Sequence, residues 1–263
     1  MVILQGWGAK VAVLELFGLL AGNRRIATYI EMLNTLGKNS SVKSVIVSVD
    51  SPGGLATASD YLYSAVSRLA AKKPVVAFIS GSGTSGAYLV SCAAQKIVAL
   101  PSAAIGSIGV ISSRPVLERF LEKTGVRVAV TKSGRLKDMG AFYREPSEEE
   151  KQKEQELIDS YFNYFVKVIA KGRHVEEERV RELATGEVFL GEKAKGLGLV
   201  DEVGDFDTAL DLAAQLGRVR RRFSYVRPHR GFAERLVSRF AISFAEETLE
   251  LGYLLTPQIY YLG

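Results

Sequence analysis

Ser44-Val45-Ile46-Val47-Ser48-Val49-Asp50-Ser51-Pro52-Gly53-Gly54 is the stretch on which the fold turns. Ser44 to Val49 is rich in β-branched side chains, which pack well on a pleated surface, so it reads as a strand. Asp50 ends the apolar run, and Ser51-Pro52-Gly53-Gly54 is a strong turn signal. A helix is expected next, from about Thr57 to Ala71, and then the pattern repeats. Pro74 to Ile79 reads as a strand, Gly81-Ser82-Gly83-Thr84 as a glycine-rich turn, and Ser85 to Ala94 as a helix. Toward the N-terminus, Val11 to Leu16 reads as a buried strand and Arg24 to Leu36 as a helix stopped by Gly37. Ile97 to Leu100 and Arg127 to Thr131 are expected as short strands. Strands alternating with helices over this length indicate parallel β/α units.

The second half has a different pattern. Ser147 to Lys171 reads as a long helix whose acidic start (Glu148, Glu149, Glu150) suits the positive end of its dipole. Phe232, Leu236, Phe240 and Phe244 recur at i+4 and are expected to face a core or a subunit interface, with a membrane surface as the other reading. The boundaries that follow are 1–216 for an α/β domain and 217–263 for a basic, amphipathic helical extension.

The 263 residues are 47% hydrophobic and 24% charged, the profile of a globular chain with a sizeable core. A single cysteine, Cys92, excludes an intramolecular disulfide, and two histidines with one cysteine exclude a Cys/His zinc site. The net charge is +5, concentrated in Arg218, Arg220, Arg221, Arg222, Arg227, Arg230, Arg235 and Arg239. Such a run suits a solvated face, an anionic membrane surface or non-specific contact with nucleic acid. The best candidate for a membrane span, Val11 to Ala21, has about half the needed length and carries Glu15.

Ser85 stands out chemically because it lies where a glycine-rich turn meets a helix start, a place that presents a hydroxyl. Gly86 beside it allows close backbone approach, with an N–H at a helix N-terminus. Gly53 and Gly54 offer a second backbone donor from a neighbouring junction, at the strand ends where ligands gather in such sheets. Glycine turns of this kind also bind phosphate or simply permit tight packing, but no Gly-Lys-Ser/Thr follows, so the phosphate-loop pattern is absent. A serine nucleophile needs a base. His174 and His229 sit in charged, surface-like stretches. A lysine serves when neutral, which requires a drop of roughly three units from about 10.4, or about 4 kcal/mol of disfavoured charge. Lys132-Ser133-Gly134-Arg135-Leu136-Lys137-Asp138 is by composition a basic loop, and spacing does not select Lys137 over Lys132.

Five segments together resemble the signal peptide peptidase A family, half-size type. They are Asp50 to Gly54, Gly83-Thr84-Ser85-Gly86-Ala87-Tyr88, Gly106-Ser107-Ile108-Gly109-Val110, Lys132-Ser133-Gly134 with Lys137-Asp138, and Gly191 to Glu202. The resemblance runs from about residue 10 to 216. It implies an α/β fold like that of crotonase and the Clp protease proteolytic subunit, a β/α superhelix with a helical C-terminal part. It implies Ser85 as nucleophile, Lys137 as general base, Ser107 as the residue orienting the lysine, and Gly54 and Gly86 N–H groups as oxyanion hole. Gly53 and Gly109 fall on the substrate-binding edges, where an extended peptide would pair.

The same resemblance implies no cofactor, peptide substrates derived from membranes (cleaved signal peptides among them), and a homo-oligomeric ring whose sites draw Ser and Lys from adjacent subunits. It implies association with a membrane. No anchor is evident in this sequence, so a soluble cytoplasmic form is the alternative. Competing readings are an acyl-CoA-processing enzyme on the same fold, which would need acidic groups near Ser85 or Gly54, and a non-catalytic oligomeric scaffold. Specific nucleic-acid binding is not expected.

Overall fold

A computed structural model describes residues 2–4, 10–228 and 259–262. The chain runs β1 (Val2–Leu4), β2 (Val11–Phe17), α1 (Asn23–Lys38), β3 (Ser44–Ser51), β4 (Gly53–Leu55), α2 (Ala56–Ala70), β5 (Val75–Thr84) and α3 (Gly86–Ser91). There follow β6 (Lys96–Ala99), β7 (Ala104–Gly106), β8 (Ile111–Ser112), α4 (Glu118–Thr124), α5 (Glu148–Arg173) and α6 (Glu177–Leu183). The remainder is β9 (Val188–Leu190), α7 (Gly191–Gly196), β10 (Glu202–Val203), α8 (Phe206–Gly217), β11 (Phe223–Pro228) and β12 (Ile259–Leu262).

The main sheet has the order β1-β11-β2-β3-β5-β6-β10, with β7 attached to β5 and β9 to β7. From β11 to β10 all neighbours are parallel. Burial on both faces explains the unbroken apolar runs seen in the sequence. Ala12, Leu14, Leu16, Val45, Val47, Val49, Val75, Ala77 and Ile79 alternate onto the face covered by α1, α2, α3 and α5. Val11, Val13, Ile46, Val76, Phe78 and Val98 alternate onto the other, under Ala209, Leu210, Ala213 and Ala214 of α8. This α/β architecture with helices in the second half is the expected class.

Three local expectations need correction. Gly37 does not stop α1, which runs on to Lys38 before Asn39 turns its N–H back onto Thr35 and Leu36. Packing against α2 outweighs the ~1 kcal/mol that a helical glycine costs. Gly81 to Thr84 is not a turn but the second half of β5, pairing with β7. Asp50 enables this, because its carboxylate accepts the Ser82 N–H at 2.8 Å and a Cβ on Gly81 would sit 2.3 Å from the same oxygen. Arg127 to Thr131 forms no strand. Val126, Val128 and Val130 are exposed there, and the alternating pattern has no sheet partner among the described residues.

Part of the expected extension, Phe223–Pro228, is a strand of the main sheet between β1 and β2. Arg221 pairs with Asp207 and Asp211, and Arg227 with Glu15. The Phe232 to Phe244 stripe, Arg230, Arg235, Arg239 and His229 lie outside the described residues. Among the described residues no helix is long and apolar enough to cross a membrane.

Candidate active site

Ser85 joins β5 to α3 with φ 54° and ψ −125°, left-handed backbone that a non-glycine residue seldom adopts. Its N–H donates to the Gly106 carbonyl at 2.7 Å and its carbonyl accepts from Leu89 at 3.1 Å, so the backbone is clamped on both sides. Its side chain is buried, and Oγ has no hydrogen-bond partner among the described residues. Buried hydroxyls are rarely left so, since an unmade bond costs about 1–3 kcal/mol. As the first residue of α3, Gly86 carries an N–H with no intrahelical partner.

The glycine pair is brought to this point by side chains at the end of β5. The Thr84 hydroxyl donates to the Pro52 carbonyl at 3.2 Å and lies 3.1 Å from the Ser82 hydroxyl, while Ser51 Oγ accepts the Gly53 N–H at 3.1 Å. Gly54 lies directly on backbone, because an added Cβ would be 2.4 Å from the Leu20 carbonyl oxygen. Leu20 also donates to Gly53 and accepts from Leu55.

Ser107 is placed by register. β5 and β7 pair Ser82 with Ala104, Gly83 with Ile105 and Thr84 with Gly106, so Ser85 and Ser107 each directly follow the last pair of the ladder. Ser107 is buried, has φ 47°, and donates its N–H to Glu187 at 2.7 Å. Gly109, two residues on, leads toward β8. There β4 and β8 form the outer strands of a separate antiparallel sheet whose centre is β12, with Tyr261 opposite Gly54 and Tyr260 opposite both Leu55 and Ile111.

Lys137 lies in an exposed loop and is not a partner of Ser85 within the chain. The structure does distinguish it from Lys132. The Lys132 ammonium is held by Asp138 at 2.5 Å and by the Arg135 carbonyl at 2.9 Å, whereas that of Lys137 has no partner among the described residues. His174 is an exposed helix cap, and Cys92 is buried with its thiol pushed up to about 12 by burial, so neither supplies a base. Sequence reasoning missed two features. One is the ion-pair cluster around Arg144, whose only signal was the Ser147-x-x-Glu150 capping pattern. The other is the strand at 259–262, which had none.

The fold and the sequence have known relatives. A structure of a mutant of the 1510-N membrane-bound stomatin-specific protease superposes with a TM-score of 0.55 at 17% identity, over 84% of this chain and 99% of that one, a likeness of fold. A Methanocaldococcus jannaschii protein with a provisional protease name is 41% identical over 191 residues, 73% of this chain and 61% of the relative. An Enterococcus faecium protein with a provisional signal peptide peptidase name is 38% identical over 186 residues, 70% of this chain and 54% of the relative. The chloroplastic serine protease SPPA of Arabidopsis thaliana is 32% identical over 191 residues, 72% of this chain and 28% of the relative. The chain thus spans less than two thirds of the length of each of these relatives. The model of peptidase family S49 matches residues 67–220, more than half of the chain, with Ser85, Ser107 and Lys137 inside the match. This chain belongs to peptidase family S49.

Proposed function

We propose that the chain is a serine endopeptidase in which Ser85 is the nucleophile and Lys137 the general base. The observation that carries the reading is the Ser85 hydroxyl: buried, unpartnered, and held in strained backbone beside Gly86 and Gly54. Ser44 Oγ is also buried without a partner, but only Ser85 combines this with strained backbone at a glycine-flanked strand-to-helix junction, which supports a reactive role.

In the reaction, neutral Lys137 Nζ takes the Ser85 proton as Oγ attacks the scissile carbonyl carbon. The oxyanion settles on the N–H groups of Gly54 and Gly86. The lysine ammonium, oriented by Ser107, passes its proton to the leaving amine, and the C–N bond breaks to leave an ester on Ser85. Water, giving a proton to the same lysine, then hydrolyses the ester. Ser85 Oγ has no lysine partner within its own chain, so the reading takes Lys137 from an adjacent copy in a homo-oligomeric ring. Insertion between subunits also supplies the burial a neutral lysine requires.

Substrates bind as extended strands between Gly53–Leu55 and Ile111–Ser112, with Gly109 at the rim. The chain's own residues 259–262 lie between these edges as an antiparallel strand, which supports that mode. Membrane-derived peptides, cleaved signal peptides among them, are the proposed class, and this rests on the family resemblance. No cofactor takes part. A membrane-surface location is proposed on the same ground.

The test is hydrolysis of a fluorogenic peptide with small apolar residues by wild type, Ser85→Ala and Lys137→Ala, with assembly checked by size-exclusion chromatography. Each variant is expected to lose roughly 10³-fold or more in kcat. Mixing the two inactive variants and reassembling them should restore activity at about a quarter of the sites, since each site draws on two copies. Activity surviving in Lys137→Ala refutes the dyad, and no recovery on mixing refutes the shared site.

A further inference from the structure

We propose that Arg144 is the positioning residue of the general base, fixing the loop that carries Lys137 and neutralising the carboxylate next to it; the inference rests on the Ser/Lys reading above. The loop from 132 to 147 has no regular secondary structure, yet it is anchored to a helix end by a continuous set of bonds. Ser147 caps α5 reciprocally: its N–H donates to Glu150 at 2.8 Å, and its hydroxyl accepts the Glu150 N–H at 3.2 Å. The Glu150 side chain is 3% exposed and receives both Arg144 Nη atoms, at 2.8 and 2.5 Å. The same guanidinium turns its Nε to Asp138 Oδ2 at 3.1 Å and its Nη2 to Asp138 Oδ1 at 3.0 Å. Tyr143 OH adds a bond to Asp138 at 3.1 Å. Asp138 follows Lys137 directly, so the position of the base is tied to the first turn of α5 through one arginine.

The electrostatics have a second consequence. A carboxylate adjacent to a lysine favours the ammonium form, which is useless as a base. The charged groups along this loop and the first turn of α5 are Lys132, Arg135, Lys137, Asp138, Arg144, Glu145, Glu148, Glu149, Glu150 and Lys151, the last paired with Glu148. Arg135 is taken by Glu149, and Arg144 bridges Asp138 and Glu150. Lys132 completes the neutralisation of Asp138. Hydrogen bonds from Arg144 and Lys132 hold the Asp138 carboxyl far below the usual range, so it is ionised whenever the enzyme works, and its charge must be absorbed by these cations. A lysine at 144 supplies the charge but cannot fork two carboxylates.

The experiment compares the wild-type chain, Arg144→Met, Arg144→Lys and Arg144→Met/Asp138→Asn by kcat and KM against pH, with hydrogen exchange of each protein. Arg144→Met should lower kcat at least tenfold with KM changed less than threefold. It should also move the ascending limb of kcat to higher pH, because Asp138 is unscreened. Adding Asp138→Asn should return the limb to its wild-type position. Arg144→Lys, the variant that keeps the charge if Arg144→Met does not fold, should lower kcat with the limb unmoved. Amides at 132–147 should exchange faster in all three variants while those of α3 do not. A fall in Arg144→Met activity with the limb unmoved leaves only a structural role and overturns the proposal. So does unchanged kcat, or unchanged exchange in the loop. If wild type hydrolyses no peptide, the Ser/Lys reading fails by itself and the anchoring is decided by exchange alone.

Discussion

Replacing Ser85 by alanine is expected to make the isolated chain more stable as it becomes inactive. Ser85 Oγ is buried without a partner, and a hydroxyl in that condition costs about 1–3 kcal/mol. Alanine keeps the Cβ and adopts the same φ of 54°, so the backbone strain is common to both and cancels. The lost oxygen leaves a small void, which places the net gain in the lower part of that range, about 1–2 kcal/mol. At about 2–4 °C per kcal/mol for a chain of this size, Tm should rise by about 2–8 °C. The assay is thermal unfolding followed by circular dichroism at concentrations where the chain is dispersed, beside peptide hydrolysis. On the proposed shared site, assembly would bring a neighbouring Lys137 to accept the hydroxyl hydrogen bond, and the gain should then vanish or reverse. A lower Tm for the dispersed Ser85→Ala chain would show that the hydroxyl is satisfied in the fold and refute the reasoning.

Tyr88→Phe removes the bond from a fully buried hydroxyl to the Leu199 carbonyl, 2.7 Å. The cost should be about 1–3 kcal/mol, seen as a Tm lower by about 2–12 °C with turnover unchanged well below it. Glu150 is held down from 4.5 to about 2, chiefly by its hydrogen bonds from Arg144. A depressed carboxyl stabilises the fold fully above its unfolded pKa, and that contribution is lost as pH falls from about 4.5 to about 2. Urea unfolding of Glu150→Gln should therefore show a lower stability than wild type at pH 7 and a smaller loss across that window. A chain ending at residue 258 leaves the edges of β4 and β8 open, and KM for an added peptide should drop by roughly 3–10-fold. An unchanged KM, or no competition by a synthetic Ile259–Gly263 peptide, would place substrate elsewhere.

Legibility in the sequence followed the range over which the physics acts. Ser44 to Val49 and Val11 to Leu16 were readable because burial on both faces leaves unbroken apolar runs. The α5 start was readable because the acidic first turn, Glu148, Glu149 and Glu150, is a local match to the helix dipole. Arg127 to Thr131 was misread because alternation specifies a strand only where a partner exists, and none lies beside it among the described residues. Gly81 to Thr84 was misread because its straightness depends on the carboxylate of Asp50, distant in sequence. At the site, Ser85 and its glycines stood out as local turn chemistry, whereas the choice of Lys137 over Lys132 needed the family resemblance. In the structure the two lysines do differ: Asp138 pairs with Lys132 and not with Lys137. Arg144 joins two carboxylates 12 positions apart (150 − 138), a relation no local pattern carries.

The place of β11 bears on how the chain is made. β2 leaves a ribosome roughly 200 residues before one of its two neighbours, Phe223–Pro228. Until about residue 228 has emerged, the backbone groups on that side of β2 are unpaired, a template for another nascent chain. Synthesis at ~5–20 residues per second prolongs that exposure to roughly ten seconds or more. That side of the sheet thus closes only once β11 is made, so a chaperone that covers β2 in the interval should raise the yield of folded protein.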